Sequence, residues 1–286
     1  AIELRKISQK KILLMQGVYS QKDFLEARNN SLDIVIHNKY QFEIVKDNDS
    51  FDNLWFKINT GMNRLGFEED EFLDIYNNFL LDKEFTLMSH LSASNVPDDP
   101  ANKNQFARFD NLSNKLHSNV LKSIANTGCI MNFPEKSYDW VRAGIGIFGG
   151  YIGSEELKTT MTLRSQIINI RDIKKGERVG YDGRGEAKAK MKIATVYIGY
   201  ADGLPNHIKD GTLIKINNHD AKVFGKVNMD VTTVDVTNIP DCNVGDWCEF
   251  FSPKDSITNL ATSNSLLSYD LMIRIKSRVK RIYQDI

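Results

Sequence analysis

The chain has 286 residues, long enough for one large domain or two ordinary ones, and 41% of them are hydrophobic. Lys plus Arg and Asp plus Glu number 37 each, so no net field favours nucleic acid or a membrane surface. No apolar run approaches the ~20 residues of a membrane-spanning helix, and Cys129, Cys242 and Cys248, odd in number and without metal-ligand spacing, fit free thiols in a reducing, cytoplasmic setting.

The opening Ala-Ile-Glu-Leu-Arg-Lys reads as the end of a helix. Ile12–Met15 reads as a strand, followed by a helix from about Ser20 to Asn29. Asp33–His37 is the next strand, with a helix near Gln41–Lys46. After strand Leu54–Ile58 comes Glu68–Leu80, where Phe72, Ile75, Tyr76, Phe79 and Leu80 fall on one helical face. Strand Thr86–Met88 precedes a helix over Asn102–Leu121, with Phe106, Phe109, Leu112 and Leu116 as its stripe. Such stripes are packing surface rather than ligand contacts. Lys122–Ala125 and Tyr138–Val141 complete six strands, and their alternation with helices predicts a parallel sheet with helices outside.

Near Gly150 the texture changes. Thr160–Ile170, Met191–Gly199, Leu213–Ile216, Ala221–Val227 and Val231–Val236 are β-rich, with turn signals at Lys175-Gly176, Asn217-Asn218 and Val244-Gly245. That texture predicts a mostly antiparallel β domain. The expected division is residues 1–155 as an α/β barrel portion and 156–286 as the β domain.

In an α/β barrel the carboxyl ends of all strands open on one face, so residues distant in sequence meet around one pocket. Four strands here end in chemically capable clusters: Lys57-Ile-Asn-Thr-Gly-Met-Asn-Arg64, Ser89-His90, Asn126-Thr127-Gly128 and Arg142-Ala-Gly144-Ile145-Gly146. Gly61 permits a sharp turn, and Arg64 offers a five-donor fork to an anion. Of the five histidines only His90 ends a strand in such a cluster; the others read as surface or local packing residues. Gly144-Ile-Gly146-Ile-Phe-Gly149 matches a dinucleotide fingerprint as a string, but that fingerprint follows a first strand and opens a helix with an acidic residue about twenty positions on, whereas here it leads into the β domain, where no such unit follows. Close backbone approach to a single phosphate is the better reading. Lys188–Lys192 and Arg274–Arg281 read as solvated faces.

The cluster Lys57 to Gly66 resembles alanine racemases, together with Ser89-His90, Trp140-Val-Arg142-Ala-Gly144-Ile145, Val179-Gly-Tyr181, Ile198-Gly-Tyr200-Ala-Asp-Gly203, Asn228-Met229-Asp230, Tyr269 and Ile275-Lys-Ser-Arg278-Val279. The resemblance runs through essentially the whole chain, in order. It implies a (β/α)8-type barrel followed by a β domain, pyridoxal 5′-phosphate as cofactor, and a homodimer with shared active sites. The activity implied is two-base interconversion of L- and D-alanine for cell-wall peptidoglycan, with no nucleic-acid or membrane partner.

The residue roles that follow are those the resemblance implies. Tyr181 is the base for the L-isomer, with His90 hydrogen-bonded near it and Arg142 beyond, facing the pyridine nitrogen. A cation there cannot accept the ring proton, so little side chemistry such as transamination is expected. Thr127, Gly144, Ile145 and Tyr269 hold the phosphate. Arg64 contacts the ring's phenolic oxygen and the substrate carboxylate, Met229 offers that carboxylate a backbone N–H, and Tyr200 lines the entrance. Tyr181 and Met229 come from the partner subunit. Lys57 is carbamylated, the alternative being a plain lysine paired with a carboxylate. A racemase of broader specificity and a non-catalytic cofactor-binding relative are the other readings.

The sequence departs from the family at Asn59 (aspartate is usual), Thr127 (serine), Phe148 (tyrosine) and residues 182–188, which lack a common aromatic. A closed barrel has eight strands against the six counted, a difference of about 60 residues. The family's cofactor lysine lies in a Lys-Ala-Asn-Ala-Tyr-Gly-like motif that this sequence does not contain. Both point to a segment ahead of Ala1, so the chain alone is expected to be poorly soluble and inactive.

Overall fold

Continuous apolar strands, not alternating ones, dominate the first half, and the computed structural model shows why. It describes residues 1–47 and 54–284 and divides into two compact units, residues 1–143 and 144–286. In the first unit, helix α1 (Ile2–Arg5) leads to strand β1 (Leu13–Leu14), α2 (Gln21–Asn29), β2 (Asp33–Ile36), α3 (Lys39–Val45) and β3 (Leu54–Lys57). There follow α4 (Glu69–Ile75), β4 (Phe85–Met88), α5 (Pro100–Ser113), β5 (Leu121–Ser123) and α6 (Thr127–Asn132). All five strands pair in parallel in sequence order. Every residue of β2, β3 and β4 is buried, as expected of a parallel sheet covered on both faces.

Side-chain oxygens of Ser20, Asn38, Asp99 and Asn126 accept N–H groups in the first turns of α2, α3, α5 and α6. Phe56, Phe72, Phe85 and Tyr76 form the aromatic centre of the core, with Phe56 and Phe85 ring centroids 5.5 Å apart.

Three expectations need correction. Tyr138–Val141 is not a sixth strand: Tyr138 takes a φ of 45°, and only a single parallel bridge, Asn126 to Arg142, forms there. The Glu68–Leu80 segment splits into α4 and a π-helical turn, Tyr76–Leu80. The wider π turn rotates the stripe, which leaves Phe79 47% exposed while Tyr76 and Leu80 stay buried. The helix begun near Asn102 ends at Ser113, so its last predicted residues belong to a loop and β5.

The second unit begins with α7 (Gly144–Ile147), then β6 (Leu163–Ile173), β7 (Arg178–Val179), β8 (Gly185–Glu186), β9 (Met191–Val196) and β10 (Leu213–Ile216). β11 (His219–Val223), β12 (Thr232–Asp235), β13 (Trp247–Phe251), α8 (Ile257–Ser263) and α9 (Ser268–Arg274) complete it. Six of these strands close an antiparallel barrel in the order β10-β11-β12-β9-β6-β13. Asn217 and Asn218, at φ 50° and 65°, make the tight turn joining β10 to β11. β13, which the sequence reading did not mark, closes the ring by pairing with both β6 and β10. No helix among the described residues is long and apolar enough to cross a membrane.

Candidate active site

The first unit concentrates its chemistry where β3, β4 and β5 end. Lys57 closes β3 and is only 6% exposed. The chain then loops out and returns, with Phe67 N–H donating to Lys57 O and Asn59 N–H to Phe67 O, both at 2.9 Å. Gly66 makes the return possible: its φ is 126°, and a Cβ there would lie 2.6 Å from Asn59 N. Within this loop Asn59 Oδ1 accepts the N–H groups of Gly61 and Asn63, while its Nδ2 donates to Asn63 Oδ1 and, at 2.7 Å, to Glu68. An aspartate at 59 would face Glu68 with like charge, so asparagine suits this chain. The loop carries Arg64.

Burial first, then the charges of Arg64 and Arg142, push the Lys57 amine down to about 8. No carboxylate pairs with it among the described residues. It is therefore a partly neutral, nucleophilic amine near neutral pH, unlike the carboxylate-paired lysine of the alternative reading.

Ser89 and His90 follow β4 inside a directional hydrogen-bond chain. Ser89 Oγ donates to Ile58 O at 2.8 Å, so in its 2.7 Å contact with Thr60 Oγ1 it must accept. Gln105 Nε2, from α5, donates to Thr60 Oγ1 and to His90 O, and its Oε1 accepts from Ser92 N–H and Oγ–H. One buried carboxamide thus ties the loop carrying Arg64 to the loop carrying His90.

Arg142 arrives on the single bridge after β5. Its Nη2 donates to Ser89 O at 2.6 Å and to His90 Nδ1 at 3.2 Å, and Nη1 donates to Ser123 Oγ. Its Nε is buried with no hydrogen-bond partner among the described residues. Burial lowers the guanidinium to about 10, so it remains a cation at neutral pH. Burial and then Arg142 hold His90 down to about 4, which makes it a neutral imidazole. Thr127 opens α6 and is buried; at Gly128 a Cβ would strike Asn95 Oδ1 at 2.4 Å, so the loop after β4 packs onto this turn.

In the second unit, Ile145 N–H donates to Tyr269 Oη at 2.7 Å, and a Cβ on Gly144 would lie 2.6 Å from the same oxygen. The hydroxyl proton of Tyr269 is thereby left to donate elsewhere. Tyr200 N–H and Ala201 N–H donate to Asn228 O and Met229 O at 3.0 and 2.9 Å, which joins the two turns bearing Tyr200 and Met229. Tyr181, 69% exposed, sits between Gly180 and Asp182 in a turn with φ values of 74° and 59° at those neighbours. Arg178 donates to the carbonyls of Asp182 and Gly183, and Lys226 pairs with the Asp182 carboxylate at 2.9 Å. Within residues 182–188, a Cβ at Gly185 would lie 2.8 Å from the Phe224 ring, so that position has no room for a larger side chain.

The structure therefore gathers Lys57, Arg64, His90 and Arg142 in one unit, and Gly144, Ile145 and Tyr269 in the other. Sequence reading missed Gln105, Thr60 and Ser123. It also passed over His37, which directly follows β2, is 4% exposed and lies 3.0 Å from Tyr19 Oη. Burial and the Lys57 charge lower its pKa. The rule that found His90, a polar residue immediately after a parallel strand, also selects His37. Gln105 signals itself as a polar residue one position before the apolar stripe.

Residues 1–152 match the alanine racemase N-terminal domain, and residues 160–283 match the alanine racemase C-terminal domain. The chain belongs to the alanine racemase family. An alanine racemase of Vesicomyosocius okutanii subsp. Calyptogena okutanii is 34% identical over 98% of this chain and 80% of its own length. Among solved structures, the biosynthetic alanine racemase of Pseudomonas aeruginosa superposes with a TM-score of 0.93 at 29% identity, covering 99% of this chain and 82% of that one. The alanine racemase of Bartonella henselae, solved with covalently bound pyridoxal phosphate, shares the fold at a TM-score of 0.90 and 24% identity, over 99% and 82% of the two chains. The five-stranded parallel sheet followed by an antiparallel barrel fits the family's α/β barrel and β domain.

Proposed function

We propose that the chain is an alanine racemase that interconverts L- and D-alanine with pyridoxal 5′-phosphate, as a cytoplasmic homodimer with shared active sites, and so supplies D-alanine for peptidoglycan. The observation that carries this reading is Arg142: a buried guanidinium with an unpartnered Nε, braced against a neutral His90. A buried donor without a protein acceptor fits a cofactor whose ring nitrogen accepts. Tyr269, with its oxygen engaged by Ile145 N–H and its proton available, fits a phosphate.

Bound pyridoxal phosphate supplies the electron-withdrawing ring that makes the α-proton of an amino acid removable. Arg142 would donate to the ring nitrogen and, as a cation, would take no proton from it. Thr127 Oγ1, the Gly144 and Ile145 backbone and the Tyr269 hydroxyl are assigned to the phosphate. Arg64 would meet the phenolic oxygen and the substrate carboxylate, with a carbamate on Lys57 to orient it. A second copy supplies Met229 N–H to that carboxylate and Tyr181 as base toward the L-isomer, with Tyr200 at the entrance. A tyrosine base needs donors for its anion; His90 offers Nε2–H, backed by the Arg142 charge.

Incubating the complete, cofactor-loaded native holoenzyme with L-alanine and resolving the isomers by chiral chromatography tests the reading. D-alanine should accumulate to equal amounts. No D-alanine and no exchange of the α-hydrogen with deuterated water would sink it, and faster turnover of serine or lysine would make the enzyme a broader racemase.

A further inference from the structure

Three motifs to which the proposed chemistry assigns no charged partner meet at one guanidinium. Arg278 Nε donates to Asp202 Oδ1 at 2.6 Å, and its Nη2 donates to Asp230 Oδ1 at 2.6 Å. Asp202 lies in the turn with Tyr200, and Asp230 directly follows Met229. The other oxygen of Asp202 accepts Gly199 N–H at 2.8 Å, and its carbonyl accepts Lys276 N–H at 3.0 Å. Its side chain is only 14% exposed, against 46% for both Arg278 and Asp230.

The backbones around this fork are packed to contact. A Cβ on Gly199 would lie 2.3 Å from both Asn228 O and Met229 O, and one on Gly203 would lie 2.2 Å from Arg274 O. Three chain segments therefore converge here, and Arg278 is the side chain that spans two of them from the third. A planar fork reaches two carboxylates in fixed directions, which a lysine ammonium does not. Among the described residues the N–H of Met229 has no partner, so whatever fixes the turn fixes the direction of an open donor.

We propose that Arg278 is a positioning residue for the substrate carboxylate: through Asp230 it sets the direction of the Met229 N–H, and through Asp202 it holds the Tyr200 turn beside it. This rests on the reading that Met229 receives that carboxylate. Asp230 pulls its turn toward Arg278 from one side of Met229, while Ala201 N–H holds Met229 O from the other. Loss of the fork frees the donor to swing without removing any group that touches substrate.

The test uses the cofactor-loaded enzyme, with propionate as a carboxylate probe that lacks an amine. Arg278→Gln should raise both the KM for L-alanine and the Kd for propionate about tenfold, with kcat within about twofold and cofactor affinity unchanged. Arg278→Lys should restore only part of the loss. Asp230→Asn, which keeps the Asp202 arm, should show the same split and serves if Arg278→Gln does not fold. In the cofactor-free protein, the Tyr200 and Ala201 amides should exchange hydrogen faster in Arg278→Gln. Unchanged propionate affinity, or equal losses in kcat and cofactor binding, would overturn the proposal. Arg64→Gln separates the failures. If it too leaves propionate binding unchanged, the carboxylate reading itself is wrong; if it weakens binding while Arg278→Gln does not, only the positioning role falls.

Discussion

Arg142 Nη2 lies 3.2 Å from His90 Nδ1, and a guanidinium can only donate, so the imidazole proton is fixed on Nε2. Burial first, and then the Arg142 charge, keep a second positive charge off the ring. Arg142 thus decides the tautomer of its neighbour and helps to hold it neutral.

The folded-state pKa of His90, about 4, lies below the ordinary 6.5. As pH falls from about 6.5 toward about 4, the unfolded chain takes up a proton that the fold excludes, so this group lowers stability across that window and is neutral in effect above it. The His90 ring resonances should not titrate between about pH 5 and 8. In Arg142→Gln they should titrate closer to the ordinary value.

Lys57 acts in the same direction at higher pH. Its amine is held to about 8 against an ordinary 10.5, so stability should rise as pH increases from about 8 to about 10.5, where the unfolded chain still binds the proton. In bicarbonate-free buffer near pH 7, Lys57→Met should stabilise the fold by roughly 1–3 kcal/mol. Bicarbonate should stabilise the natural protein but not this variant, and labelled bicarbonate should give a carbamate carbon resonance. Absence of both effects would leave Lys57 a plain amine.

Gln105→Leu keeps the volume and removes the connector. It strands His90 O and Ser92 N–H in or near the core and removes one of the two hydrogen bonds of Thr60 Oγ1, so urea unfolding should show a loss of about 2–4 kcal/mol. Activity at low denaturant should fall further than folding does, because the loops with Arg64 and His90 lose their shared tie.

Gly144→Ala should act through Tyr269. The added methyl meets the hydroxyl oxygen and separates it from Ile145 N–H. Affinity for pyridoxal phosphate should drop about tenfold or more, with a smaller drop in Tyr269→Phe, which retains the ring. Equilibrium binding to the cofactor-free protein measures both.

Sequence alone revealed the site where local rules and global architecture coincide. Lys57, His90 and Arg64 stand at or just past strand ends, a position fixed by the run of apolar residues before them. Asn217-Asn218 names its hairpin for the same reason, since few residues accept both φ values. The failures share a different cause. Phe79 turns outward through one extra residue in a helical turn, and Tyr138 breaks the expected strand at its first residue through one left-handed φ; neither leaves a trace in apolar spacing. Gln105 is legible only from its three partners, which lie 13 to 45 positions away.

Asn59 uses both ends of its carboxamide, and one of them holds Glu68. The consequence is one of charge. Exchange of Asn59 for aspartate would set two anions against each other at the root of the loop bearing Arg64, and replacing Glu68 by glutamine at the same time would remove that repulsion.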